Sequence, residues 1–175
     1  MYARRTPTVV QQVNNPTSRL YFLNGPNANL YGLDSSGTYG TESFPQIAQR
    51  CRSQAEELNV ALDFRQTNHE GVLIDWIQEA GASKSGGIVL NAGGYTHTSI
   101  AIRDAVAAVA VPVVEVHISN IYARDEFRHH SHIAPVAKAT LAGFGVAGYE
   151  LAIAGLAALL GQNQLASRAA GKRKS

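Results

Sequence analysis

Four short stretches of this 175-residue chain gather side chains that exchange protons and hydrogen bonds: Asn24-Gly25-Pro26-Asn27, Gln66-Thr67-Asn68-His69-Glu70, Asn91-Ala92-Gly93-Gly94-Tyr95-Thr96-His97 and Glu115-Val116-His117-Ile118-Ser119-Asn120. Asn, Ser, His and Asp suit a ligand rich in hydroxyls, and Arg124 and Arg128 add forked donors that suit a carboxylate. A polyhydroxy carboxylate matches that mixture. Phosphate matches it less well, because no Gly-rich cradle is followed by Lys-Ser/Thr and Gly93-Gly94 alone is a weak signal. His129, His130 and His132 raise the question of a metal. Adjacent histidines point in different directions, and no carboxylate or cysteine set completes a shell, so no metal is expected.

Taken singly, each of these residues has an ordinary explanation. His117 can satisfy a backbone carbonyl and His97 can cap a helix. Tyr39 can be a plain loop aromatic. Glu115 and Asp104 can be exposed acids paired with Arg103 or Arg124, and His69 and Glu70 can orient the helix that follows them. What argues otherwise is that every cluster follows an apolar run that reads as a strand.

Those runs are Leu20 to Leu23, Val60 to Gln66, Gly87 to Asn91, Val113 to His117 and, more weakly, Ala139 to Phe144. Between them lie helical stripes: Ile47, Ala48, Cys51, Ala55 and Leu58 after Ser43; Val72, Leu73, Trp76, Ile77 and Ala80, ending at Gly81; Ile100 to Val109; and finally Tyr149 to Leu160. Strand and helix in alternation predict a doubly wound α/β fold, with a five-stranded parallel sheet covered by helices on both faces. The expected strand order is flavodoxin-like. In such a sheet ligands bind beyond the carboxyl ends of the strands, which is where the polar clusters fall.

The domain is expected over 19–162, after an N-terminal extension (1–18) and before a basic C-terminal tail (163–175). With 45% hydrophobic residues the chain can bury one sizeable core. Its formal net charge is +2, and the basic clusters Arg4-Arg5 and Lys172-Arg173-Lys174 sit in the tails, which argues against nucleic acid. The single cysteine, Cys51, forms no intramolecular disulfide, and no apolar run marks a signal peptide or membrane span. A cytoplasmic setting follows as the expectation.

The ordered set Leu23-Asn24-Gly25-Pro26-Asn27, Gln66 to Gly71, Leu90 to Ser99, Glu115 to Asn120 and Arg124 to Ser131 resembles the motifs of the type II 3-dehydroquinate dehydratases. The resemblance covers roughly Leu20 to Leu160. It implies a flavodoxin-like fold, no cofactor, a homododecamer built from trimers, and service in the shikimate route or quinate breakdown. It also implies the reaction: 3-dehydroquinate loses a proton alpha to its ketone and then the neighbouring hydroxyl, through an enolate, to give 3-dehydroshikimate. By motif position, Tyr39 is the base, His117 the acid oriented by Glu115, and Asn27 the holder of a water that bonds the enolate. Asn91, His97, Asp104, Ile118, Ser119 and Arg128 correspond to substrate-binding positions, and Arg124 to a lid arginine.

One position departs from the family pattern. The loop reads Gly32-Leu33-Asp34-Ser35-Ser36-Gly37-Thr38-Tyr39, and Asp34 stands where family members carry an arginine beside the catalytic tyrosine. An arginine there lowers the phenol's pKa from its ordinary value of about 10, whereas a carboxylate raises it. Several readings stay open at this point. Arg4, Arg5, Arg19 or a neighbouring subunit's arginine replaces the missing one, Asp34 points to solvent, or the chain is a weak enzyme. A binding protein for a cyclic polyol carboxylate, and a dehydratase of a related cyclic acid, are the alternatives that follow. A flavin binder is a further one on fold alone.

Overall fold

The structure is a computed structural model that describes residues 18–33 and 40–172, with side chains through Gly161. The extension up to residue 17, the loop positions Asp34 and Tyr39, and residues 173–175 lie outside the described residues.

The apolar runs form five parallel strands, β1 (Arg19–Asn24), β2 (Ala61–Gln66), β3 (Gly87–Asn91), β4 (Val113–His117) and β5 (Ala139–Ala142). Their order is β2-β1-β3-β4-β5, the flavodoxin-like arrangement. Alternation along β1 sorts the core into two layers. Leu20 and Phe22 pack with Ile47, Cys51 and Ala55 of α1 (Phe44–Glu57) and with Tyr149, Ile153 and Leu156 of α4 (Ala147–Lys172). Tyr21 and Leu23 face the opposite way, toward Leu73 and Ile77 of α2 (Glu70–Ala82) and Ile102 and Val106 of α3 (Ile100–Ala108). These β1 side chains are at most 1% exposed, and full burial of such a side chain contributes about 1.5–3 kcal/mol.

Local chemistry sets the helix ends. Ser43 and Gln46 form a capping box, with the Ser43 amide donating to Gln46 Oε1 at 2.9 Å, and Pro45 sits in the first turn. Ser99 caps α3 by accepting from the Ile102 amide at 2.8 Å, so His97 is not the capping residue. Gly81 does not end α2, which continues to Ala82. A side chain at Gly81 would meet Val109 Cγ1 at 2.6 Å, so the glycine serves close contact with the end of α3. The last helix starts at Ala147 and runs to Lys172, well past Leu160. A single periodic stripe ended there, but Ala, Leu and Gln continue the helix with good propensity.

The chain moves from β1 outward to β2 and then crosses back to β3, so the sheet's topological switch lies between β1 and β3. A crevice opens at their carboxyl ends. Gly25 keeps that corner tight: a Cβ there would stand 2.5 Å from the Ala92 carbonyl oxygen, and the Gly25 amide donates to the Asn91 carbonyl at 2.7 Å.

Candidate active site

A cleft of about 160 Å³ occupies this corner, lined by Asn27, Asn91, His97, His117, Ile118, Ser119, Arg124 and Arg128 together with Pro26, Tyr31, Gly93, Gly94 and Ile121. Eight positions marked by sequence therefore share one cavity, and Glu115 lies directly behind it. Asp104 does not join them. It sits on α3 with its side chain 64% exposed and paired to Arg103 at 2.8 Å.

The second polar cluster supports the cleft without lining it. Asn27 takes a left-handed backbone (φ 67°), and its amide donates to Asn68 Oδ1 at 3.1 Å. Gln66 Nε2 donates to the same oxygen at 2.9 Å, and the Tyr95 hydroxyl donates to the Asn68 carbonyl at 2.9 Å. Left-handed backbone is tolerable for asparagine and costly for most residues. The Gln66–Asn68 segment thus holds Asn27 in the conformation that places it on the cleft wall.

On β4 the period of two places Glu115 and His117 on one face, as expected. Glu115 is fully buried, and its Oε1 accepts from Thr96 Oγ1 at 2.6 Å and Ser131 Oγ at 2.8 Å. Thr140 Oγ1 reaches Oε2 at 3.4 Å. Nε2 of His117 is 3.1 Å from Oε1, yet it has no well-aligned hydrogen-bond partner among the described residues. Burial pushes the Glu115 carboxyl up, but the pull of His117, Thr96 and Ser131 is greater in sum, and the group is held below the ordinary carboxylate range. An ionised acid behind an imidazole is the arrangement that selects the tautomer with a proton on Nε2, leaving Nδ1 for exchange.

His97 stacks on His117 with ring centres 6.4 Å apart, and its Nδ1 donates to the His130 carbonyl at 2.8 Å. Burial lowers its pKa, with His117 and Arg128 adding to the effect, so His97 is a neutral imidazole. Arg124 Nη1 donates to Ser119 Oγ at 3.3 Å. Arg128 keeps a buried Nε with no hydrogen-bond partner among the described residues and 3.9 Å from Asp125 Oδ2. A buried guanidinium N–H without a partner favours an incoming acceptor.

Sequence reasoning assigned no role to Tyr31 and Tyr149. Asn91 Nδ2 donates to the Tyr31 hydroxyl at 2.9 Å and to the Tyr149 hydroxyl, which in turn donates to Asn24 Oδ1 at 2.9 Å. Both amide hydrogens of Asn91 are thereby used within the protein, and Oδ1 accepts from the Gly93 amide at 3.2 Å. Complete burial raises the Tyr149 pKa well above the ordinary phenol value, so this tyrosine is no base. Thr96 and Ser131 also went unassigned, although both stand inside the quoted motifs; a hydroxyl residue in a loop gives no sign of which acid it will meet.

The family model for class II dehydroquinases matches residues 18–157. A 3-dehydroquinate dehydratase of Nitrobacter winogradskyi is 55% identical over 142 residues, covering 81% of this chain and 91% of that one. The type II dehydroquinase structure from Butyrivibrio crossotus is 41% identical with a TM-score of 0.78, covering 79% of this chain and 97% of that one. That from Propionibacterium acnes is 38% identical with a TM-score of 0.79, over 83% and 99%. The match spans the five strands, the four polar clusters and the cleft they frame, and the chain belongs to the class II dehydroquinase family.

Proposed function

We propose that this protein is a hydro-lyase that dehydrates 3-dehydroquinate to 3-dehydroshikimate in the cytoplasm. The observation that carries the reading is the cleft itself. A neutral histidine, an imidazole backed by a buried carboxylate, a left-handed asparagine and an undersatisfied arginine meet there. Relatives bearing the dehydratase name at 52–55% identity favour turnover over a binding-only role or another cyclic acid.

The reaction needs a base, a stabiliser for enolate charge and an acid. Tyr39 takes the proton alpha to the ketone as a phenolate. Asn27 holds a water against the developing enolate oxygen. His117, ordered by Glu115, then gives a proton to the departing hydroxyl. His97, Ser119, the Ile118 backbone and Arg128 bind hydroxyls and the carboxylate, while Asn91 orders the cleft floor and Arg124 the rim. The working unit is a homododecamer of trimers.

The test follows the rise in ultraviolet absorbance as the conjugated enone forms, across pH, for the wild type, Tyr39→Phe and Asp34→Arg. Turnover by the wild type and its loss in Tyr39→Phe are expected. A pH–kcat profile that shifts about 1 unit toward acid in Asp34→Arg would identify Asp34 as a group that holds Tyr39 protonated. A wild type silent at every pH while Asp34→Arg turns over would make the chain a disabled relative.

A further inference from the structure

We infer that Thr96 and Ser131 are positioning residues of the proton-transfer pair, and that Ser131 couples the pair to the arm that carries Arg128. The inference rests on His117 acting as the acid and goes beyond it.

Glu115 has no exposed surface, and both strong donors to its carboxylate are hydroxyls on one oxygen, Oε1. Thr96 is fully buried and Ser131 nearly so. The direction of each bond is fixed, since a carboxylate only accepts. Ser131 is held from behind as well: its Oγ accepts from the Ile133 amide at 3.1 Å and the Ala134 amide at 2.9 Å, which leaves its proton for Glu115. The Thr96 carbonyl accepts from the His132 amide at 2.9 Å, so the two hydroxyl residues brace the same turn. That turn directly follows Arg128 and His130, and the His130 carbonyl orders His97. One short segment therefore sets the substrate-facing arginine, the neutral histidine and the charge state of the buried acid.

The charged or titratable neighbours of Glu115 are His117 on its own strand and His97 beside it, with Arg128 beyond. The neighbouring strands place Leu90 and Thr140 in register with Glu115, neither of which titrates. Without the hydroxyls, burial acts on the carboxylate with less opposition, and the acid protonates at a higher pH. Protonated Glu115 no longer fixes the Nε2–H tautomer of His117.

The experiment compares Ser131→Ala, Thr96→Val and the hydroxyl-preserving Thr96→Ser. Losing one hydrogen bond to a charged acceptor is expected to lower kcat about tenfold in both deletions, with KM little changed in Thr96→Val and raised in Ser131→Ala, which also loosens the arm that carries Arg128. The acid limb of the pH–kcat profile should move up by about one pH unit, and Thr96→Ser should keep the wild-type profile. Nitrogen-15 shifts of the His117 ring report the tautomer without reference to turnover: a change from the Nε2–H form in Ser131→Ala and Thr96→Val supports the inference. Unchanged kcat, acid limb and tautomer in both, with only the melting temperature lowered, would overturn it as a merely structural contact. A His117→Gln control separates the two readings. If that variant keeps wild-type kcat, the acid assignment fails, and the tautomer measurement alone decides the role of the hydroxyls.

Discussion

A carboxylate with no exposed surface should resist ionisation, yet Glu115 is held on the charged side of its ordinary range because His117, Thr96 and Ser131 together outweigh its burial. Replacing it with glutamine keeps the shape and removes the charge. Glu115→Gln is expected to lower kcat about 10²-fold, within the range that general acid–base groups contribute, with KM little changed. Steady-state kinetics with a matched melting curve checks this, and an unchanged kcat would leave Glu115 a packing residue. Legibility at this scale was uneven. Asn27, His117, Arg128 and Ser119 were readable because each lies one or two steps past a strand end or in a quoted motif. Asp104 had no such local signal, being assigned by the family resemblance alone from within α3, and it falls outside its own chain's cleft. Tyr31, Thr96 and Ser131 were not readable, because their partners are set by contacts across 60, 19 and 16 residues.

Among the elements, β1 and β3 announced themselves as unbroken apolar runs, and β4 as one interrupted by Glu115, because both of their faces are buried. Edge strand β2 is half-buried throughout, and its polar residues do visible work. Arg65 on β2 bonds Asp63 at 2.7 Å and Glu79 of α2 at 2.6 Å, with its guanidinium over the rings of Tyr21 and Trp76. The Arg65 bond, ahead of its other influences, brings the Glu79 carboxyl from 4.5 down to about 2. A depressed folded pKa means the pair stabilises fully above about pH 4.5 and loses that contribution as pH falls toward 2. The Glu79 side chain is 46% exposed, so solvent screens the pair and its contribution is small. Glu79→Gln should therefore lower the melting temperature slightly at pH 6, with the difference from wild type closing as the buffer approaches pH 2. A gap that stays constant with pH would assign the effect to packing. Sequence periodicity misplaced the ends of α2 and α4 for a related reason: it registers buried stripes, and neither a glycine chosen for close approach to Val109 nor a polar helix extension leaves one.

For the whole molecule, the decisive residue is Asp104. The motif pattern assigns it to substrate, but its side chain is 64% exposed on α3 and pairs with Arg103, away from the cleft of its own chain. Both statements hold together if Asp104 enters the cleft of a neighbouring copy. The chain also exposes large apolar side chains that a second copy would cover, among them Phe127, Tyr122 and Phe144 at 66%, 65% and 58%. Assembly would then be part of the site. Mixing experiments decide the matter, because Tyr39→Phe and Asp104→Ala chains would each be deficient alone while a co-assembled population contains clefts with Tyr39 from one chain and Asp104 from another. Co-expressing the two variants should restore up to about a quarter of wild-type kcat, by random assortment of two chain types across each shared cleft. Light scattering on the same sample should give about twelve times the 18.7 kDa chain mass. Full assembly with no recovery would return Asp104 to its ion pair with Arg103 and leave substrate binding to the residues of a single chain.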